Sequence, residues 1–388
     1  MFSSRFTRWN LHPNRISQAV RQRVQSGKTV LDLTVTNPTL AGLAPGDPLP
    51  DLPLFSRMYQ PESRGLPQAR AAVAATYRQQ GIEVETDQVV LTASTSEAYS
   101  WLFKLLADPG DQVLVPSPSY PLFDYLAGME MVQLTTYDLA YEGGWRIDLP
   151  GLLDQLKEKP RALVLVNPNN PTGSYVKGNE WETIDAACSE LGVPVISDEV
   201  FLPYGLEERE DLAGGLAGSG GCLRFCLGGL SKAAGLPQMK LSWIVVAGPS
   251  RLRDRVMARL DLVADTYLSV GTPIQEQASE LLRYGESRRR MILARVRENY
   301  RTLGRISATE PAVSLLQAEG GWSGILRIPE TMPEEERVLR LIRQEGVVVQ
   351  PGYFFDMDQG AHLVVSLLID PVEFRSGLHR LIRSVGQP

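Results

Sequence analysis

The chain has 388 residues, of which 43% are hydrophobic and 22% charged, the balance of an ordinary globular protein. That length exceeds what one core normally organises, so two domains are expected. The net charge of −6 (39 basic against 45 acidic residues) comes without a long run of one sign, which argues against a nucleic-acid-binding surface or a polybasic membrane patch.

In chain order, residues 14–26 have helical apolar spacing with Asn14 placed as an N-cap. A short apolar run, Val30-Leu31-Asp32-Leu33-Thr34-Val35, leads into a Pro/Gly-rich loop through residue 53, suited to crossing the mouth of a site. An Ala-rich helix is predicted over 66–79. Strands and helices then alternate: strand 88–92, helix 96–106, strand 112–116, helix 121–127, strand 131–134, strand 161–166, helix 180–191 and strand 193–197. Further strands are predicted at 223–227 and 241–247. Short apolar runs separated by helices indicate a mostly parallel α/β sheet covered on both faces. After Pro249 a long charged amphipathic helix spans 276 to about 304, and strands follow near 324–328, 347–349 and 363–367.

Three cysteines (Cys188, Cys222 and Cys226) do not make a disulfide framework, and no second Cys or His pair completes a metal site around them. They are expected to be reduced, buried thiols, and no metal is expected. No apolar stretch reaches membrane-spanning length, and Met1-Phe2-Ser3-Ser4-Arg5-Phe6 is not followed by a signal-peptide core. These features predict a cytoplasmic protein with no membrane partner.

The chemistry lies in three motifs. Asn167-Pro168-Asn169-Asn170-Pro171-Thr172-Gly173 follows the apolar run at 162–166. Val193-Pro194-Val195-Ile196-Ser197-Asp198-Glu199 is a second apolar run that ends in carboxylates. Lys232 sits in the glycine-flanked stretch Gly228-Gly229-Leu230-Ser231-Lys232-Ala233-Ala234-Gly235. An amide, a carboxylate and an amine, each just past a buried strand, are what is needed to hold a pyridine-ring aldehyde. The amine forms a Schiff base, the carboxylate pairs with the pyridinium nitrogen, and the amide bonds the ring hydroxyl. Each motif alone has a bland reading: turn residues, a strand-end cap, a surface lysine. Their order, with 28 residues from Asn170 to Asp198 and 34 more to Lys232, favours the joint reading. Phosphate needs a helix N-terminus with hydroxyls, and Ser94, Thr95 and Ser96 supply one just after a strand. An ordinary N-cap at Ser94 or Ser96 is compatible with that role.

Over nearly its whole length the chain resembles the class I/II aminotransferases among the fold-type I pyridoxal-phosphate enzymes. The resemblance implies a large cofactor domain at about 42–269 and a small α/β domain built from 1–41 and 270–388. It also implies that Lys232 carries the cofactor as an internal aldimine, Asp198 meets the ring nitrogen, and Asn170 contacts the phenolic oxygen. Tyr120, in Pro118-Ser119-Tyr120-Pro121, matches the aromatic that stacks on the ring. Tyr59 resembles a tyrosine that reaches the partner subunit's phosphate, which implies a homodimer with its active site at the interface. Ser231 lies in the lysine motif beside the cofactor.

Four positions depart from the family pattern. Phe201 replaces a tyrosine that bonds the ring oxygen, Gly229 replaces a serine, and Lys240 replaces an arginine that grips the phosphate. The arginine for the substrate α-carboxylate would fall at about Val364; either another cation, with Arg327 and His362 as candidates, takes over, or the substrate is not held by a carboxylate there. The expected activity is transfer of an amino group between an amino donor and an oxo acid in amino-acid metabolism. A lyase or decarboxylase on the same cofactor is the alternative, and a non-catalytic sensor is a remote one.

Overall fold

The runs Ala162–Val166 and Val195–Asp198 are buried at every position, so neither face of these strands meets water. In this computed structural model, which describes residues 12–43, 61–218 and 220–386 together with 3, 5, 9 and 59, they lie at the centre of an eight-stranded sheet. Its spatial order is Val89–Thr92, Ser242–Ala247, Arg224–Gly229, Val195–Asp198, Ala162–Val166, Gln112–Ser117, Gln133–Tyr141 and Trp145–Ile147. The four strands from Arg224–Gly229 to Gln112–Ser117 are parallel, as is the pairing of Gln112–Ser117 with Gln133–Tyr141. Alternate side chains enter two different cores. Leu163 and Leu165 join Val73, Tyr77, Trp181 and Ile184 on one face. Val164 and Val166 join Trp101, Leu102, Met257 and Leu260 on the other.

A third core unites the two ends of the chain. Ile16, Ala19 and Leu33 pack among Val347, Leu367, Phe374 and Leu378, and Leu31 pairs in parallel with Val347. A four-stranded antiparallel sheet carries Ser314–Leu316, Ser323–Ile328, Ala361–Ser366 and Gln350–Pro351. This is the smaller α/β layer built from both termini. The long helix Ala278–Ser307 joins it to the large sheet, with Leu281 in one core and Val296 and Leu303 in the other.

Several expected elements change in detail. Asn14 does cap the first helix, Arg15–Gln25, by accepting from the Ser17 N–H at 2.8 Å. The apolar run at 30–35 yields only the two-residue strand Leu31–Asp32. The strand expected at 131–134 extends over Gln133–Tyr141 and turns back as Trp145–Ile147. Only Tyr137 and Leu139 of its nine residues are buried, so this near-edge strand has no continuous apolar run to announce it. The helices Leu149–Leu156 and Pro371–Val385 were not expected. Ser242–Ala247 runs antiparallel to both its neighbours. Residues 44–53 of the Pro/Gly-rich loop lie outside the described residues.

Candidate active site

Parallel strands end together at one edge of a sheet, and the chain delivers its chemistry there. Asp198 is the last residue of its strand, the 167–173 loop leaves the neighbouring strand, and Lys232 sits in the short helix Leu230–Ala233 after the third. The Lys232 amine lies over two aromatic rings, 4.8 Å from the centroid of Trp322 and 5.3 Å from that of Phe201. Desolvation lowers its pKa to about 8, opposed by the nearby Asp198 carboxylate. The Tyr204 hydroxyl donates to the Lys232 carbonyl at 2.5 Å and anchors the turn that presents the amine.

Asp198 is buried, and desolvation raises its carboxyl pKa to about 6. The Val200 N–H bonds Oδ1 at 3.2 Å and the Tyr99 hydroxyl bonds Oδ2 at 3.1 Å, both favouring the charged form. Tyr120 is half-buried with its ring edge-on to Phe123, and its hydroxyl pKa is raised by burial and then by the Asp198 charge. Tyr120 and Asp198 therefore share one neighbourhood.

The three asparagines of the 167–173 loop divide their work. Asn167 accepts from the Val176 N–H and donates to the Gly214 carbonyl. Asn169 donates to the Ser119 hydroxyl and accepts from the Thr172 hydroxyl. Asn170 meets the smaller sheet, its Oδ1 accepting from the Ser323 hydroxyl at 3.2 Å. Ser323 follows Trp322, whose ring lies under the Lys232 amine.

Ser94 caps the helix Thr95–Leu106, its hydroxyl accepting from the Glu97 N–H at 3.1 Å. The first N–H groups of a helix have no intrahelical acceptor, so Thr95 and Ser96 present donors at the positive end of the dipole. Thr92 pairs with Ser242 at the end of this antiparallel pair, and Lys240 lies two residues before Ser242. Lys240 is exposed and has a left-handed backbone, φ 51°.

A model of the family described as aminotransferase class I and II matches residues 56–380. The chain belongs to that family. Glutamate-pyruvate aminotransferase AlaA of Haemophilus influenzae is 25% identical over 371 residues, covering 92% of this chain and 91% of the relative. Nicotianamine aminotransferase A of Hordeum vulgare is 26% identical, covering 82% and 70%. Tyrosine aminotransferase of Mus musculus is 28% identical over 62% of this chain, and the match spans 57% of that relative's length. Among solved structures, an alanine aminotransferase from Pyrococcus furiosus superposes with a TM-score of 0.87 over the whole of both chains at 23% identity, which shows a shared fold.

The departures from the aminotransferase pattern now have a setting. A side chain at Gly229 would lie 2.3 Å from the Ser242 hydroxyl, so the opposite strand fills the space a serine would need. Phe201 packs edge-on against Trp322 and takes part in the apolar wall beside Lys232. Val364 is 1% exposed and belongs to the same apolar cluster as Ile325, Leu316 and Phe355. Its two suggested substitutes face each other two residues along the same strand pair, Arg327 opposite His362, and line a cavity of about 740 Å³ with Asp138 and Glu330. Burial and then the Arg327 charge push the His362 imidazole down to about 4, so it is neutral at pH 7 and cannot be the substitute cation. Arg327 alone keeps that possibility.

Ser231 is half-buried on the lysine helix. Tyr59 is 66% exposed at a surface pocket with Leu268 and Ser269. Two residues of the site escaped the sequence reading. Tyr99 is one turn inside the helix Thr95–Leu106, where it looks like one more apolar core position. Trp322 is buried and its indole N–H has no acceptor among the described residues, but a tryptophan after two glycines carries no signal of that kind.

Proposed function

We propose that the protein is a pyridoxal 5′-phosphate-dependent aminotransferase that moves an amino group from a donor, expected to be an amino acid, to an oxo acid. The observation that carries this reading is the Lys232 amine, half-buried against Phe201 and Trp322 and close enough to the buried Asp198 carboxylate to feel its charge. The residues present fit the cofactor. Helix N–H groups and Lys240 match a phosphate, Asn170 a ring hydroxyl, Asp198 a pyridinium, and Tyr120 a flat face; the unpartnered Trp322 N–H adds a buried donor at the same place.

When bound, the cofactor supplies an electron sink for the carbon that loses its proton. The protein's own residues then have distinct tasks. Lys232 would hold the cofactor's aldehyde, and its amine, with a pKa lowered to about 8, would move the proton at the substrate carbon at neutral pH. Asp198 would keep a ring nitrogen protonated. Phe201 and Trp322 exclude water from the amine. Arg327 is the cation we assign to a substrate carboxylate, since Val364 and His362 offer none. The exposed Tyr59 supports the reading of a homodimer in which it serves the partner's site.

Borohydride reduction of the cofactor-loaded protein followed by peptide mapping should place the adduct on Lys232. An adduct on another lysine would overturn the assignment. A single equivalent of amino donor should convert the chromophore to the pyridoxamine form; return of the starting spectrum with loss of CO₂ or another fragment would show a decarboxylase or lyase instead.

A further inference from the structure

The hydrogen bond from Tyr99 to Asp198 joins two parts of the proposed site that the chain order keeps far apart. Tyr99 belongs to the helix Thr95–Leu106, one turn from the N–H groups that face the phosphate position. Asp198 ends a central strand of the sheet. Tyr99 is 2% exposed, its ring centroid is 5.3 Å from Phe123 and 5.9 Å from Phe103, and its hydroxyl is fixed on Oδ2 at 3.1 Å. The other carboxylate oxygen is held by the Val200 N–H.

We infer that Tyr99 is a positioning residue for the proposed reaction: its phenol orients the Asp198 carboxylate and holds it in the charged form that a pyridinium nitrogen requires. This rests on the function proposed above.

A buried carboxylate with few donors tends to take up a proton, and a donor aimed at it opposes that tendency. The charged and titratable groups facing Asp198 are the Lys232 amine after the adjacent strand, Tyr99 from the helix, Tyr120 from the loop after the strand Gln112–Ser117, and Glu199 as its chain neighbour. Lys232 would not serve as a constant counter-charge, because in the proposed reaction its amine would be committed to the aldehyde. Tyr99 would. Burial pushes the phenol pKa well above its ordinary value, so it stays a neutral donor throughout the working range. One rigid helix would then set both the phosphate and the ring-nitrogen partner, which fixes the spacing between them.

The test compares two ligands on the cofactor-free protein: pyridoxal phosphate, and its carbocyclic analogue with a C–H in place of the ring nitrogen. Tyr99→Phe should weaken pyridoxal phosphate about tenfold, as expected for losing a hydrogen bond to a charged group, while leaving the analogue within about twofold. The acid side of the pyridoxal phosphate binding curve should also move to higher pH in the variant, because Asp198 then protonates sooner. In an Asp198→Asn background, Tyr99→Phe should change the ratio of the two affinities no further. Equal loss of both ligands would show a merely structural tyrosine and overturn the inference, as would unchanged binding of both. Wild-type protein that binds neither ligand would overturn the proposed function itself.

Discussion

Against the rings of Phe201 and Trp322 the Lys232 amine bears a cost that matters to folding as well as to chemistry. Its pKa falls from 10.5 to about 8 because burial disfavours the charged form. Below about pH 8 both folded and unfolded chains carry the proton, and the folded state bears the whole penalty. From about 8 to 10.5 the unfolded chain binds the extra proton, so this contribution to stability improves as pH rises. Lys232→Met should therefore stabilise the cofactor-free protein by roughly 2 kcal/mol at pH 7, with the gap closing above pH 8. Urea denaturation at several pH values checks this, and a gap that ignores pH would contradict it. The role we propose for Lys240 is simpler, that of a point charge for the cofactor phosphate. Lys240→Ala should weaken cofactor binding roughly three- to tenfold and Lys240→Arg should preserve it, measured by fluorescence titration. If neither variant changes the affinity, Lys240 does not serve the phosphate.

The loop at 167–173 shows how one element separates architecture from chemistry. Asn167 is fully buried and satisfies two backbone groups, the Val176 N–H and the Gly214 carbonyl, so its loss strands both. Asn170 is half-buried and bonds one hydroxyl on the small sheet. Asn167→Ala should cost roughly 2–3 kcal/mol of stability, and Asn170→Ala under about 1 kcal/mol. Asn170→Ala should nevertheless be the one that shifts the absorbance of the bound cofactor. Thermal melts and spectra of the two variants decide it; the reverse ranking would mean the contacts are wrongly apportioned. All three asparagines look alike in the motif, because turn chemistry alone does not say which side chain the loop turns inward.

At the scale of the molecule, the helix Ala278–Ser307 sets where the lysine turn lies. A Cβ at Gly285 would sit 2.4 Å from the Ala234 Cβ, so only glycine lets the helix approach that turn. Three residues on, Arg288 donates to the Ala234 and Leu43 carbonyls. Replacing a helix-interior glycine by alanine normally gains up to about 1 kcal/mol. Here the sign should reverse: Gly285→Ala should lower the melting temperature and weaken cofactor binding together, since Ala234 is two residues from Lys232. A variant that melts higher and binds normally would show that the contact relaxes freely.

The sequence alone determined the strand–helix alternation, the places of Asn170, Asp198 and Lys232 after consecutive strands, and the helix N-terminus at Ser94–Ser96. These are local properties: apolar period, turn residues and caps act over a few residues and can be read where they stand. Tertiary structure alone decided the rest. The reversed direction of Ser242–Ala247 lays Ser242 over Gly229, and the sheet order carries Tyr99 to Asp198 across 99 residues. The small sheet delivers Trp322 to Lys232 and Ser323 to Asn170, while Val364 turns into the core and leaves Arg327 facing a cavity with a neutral His362. Each of these depends on which strands become neighbours and which face each presents. Long-range packing makes that choice, and a short stretch of chain carries no record of it.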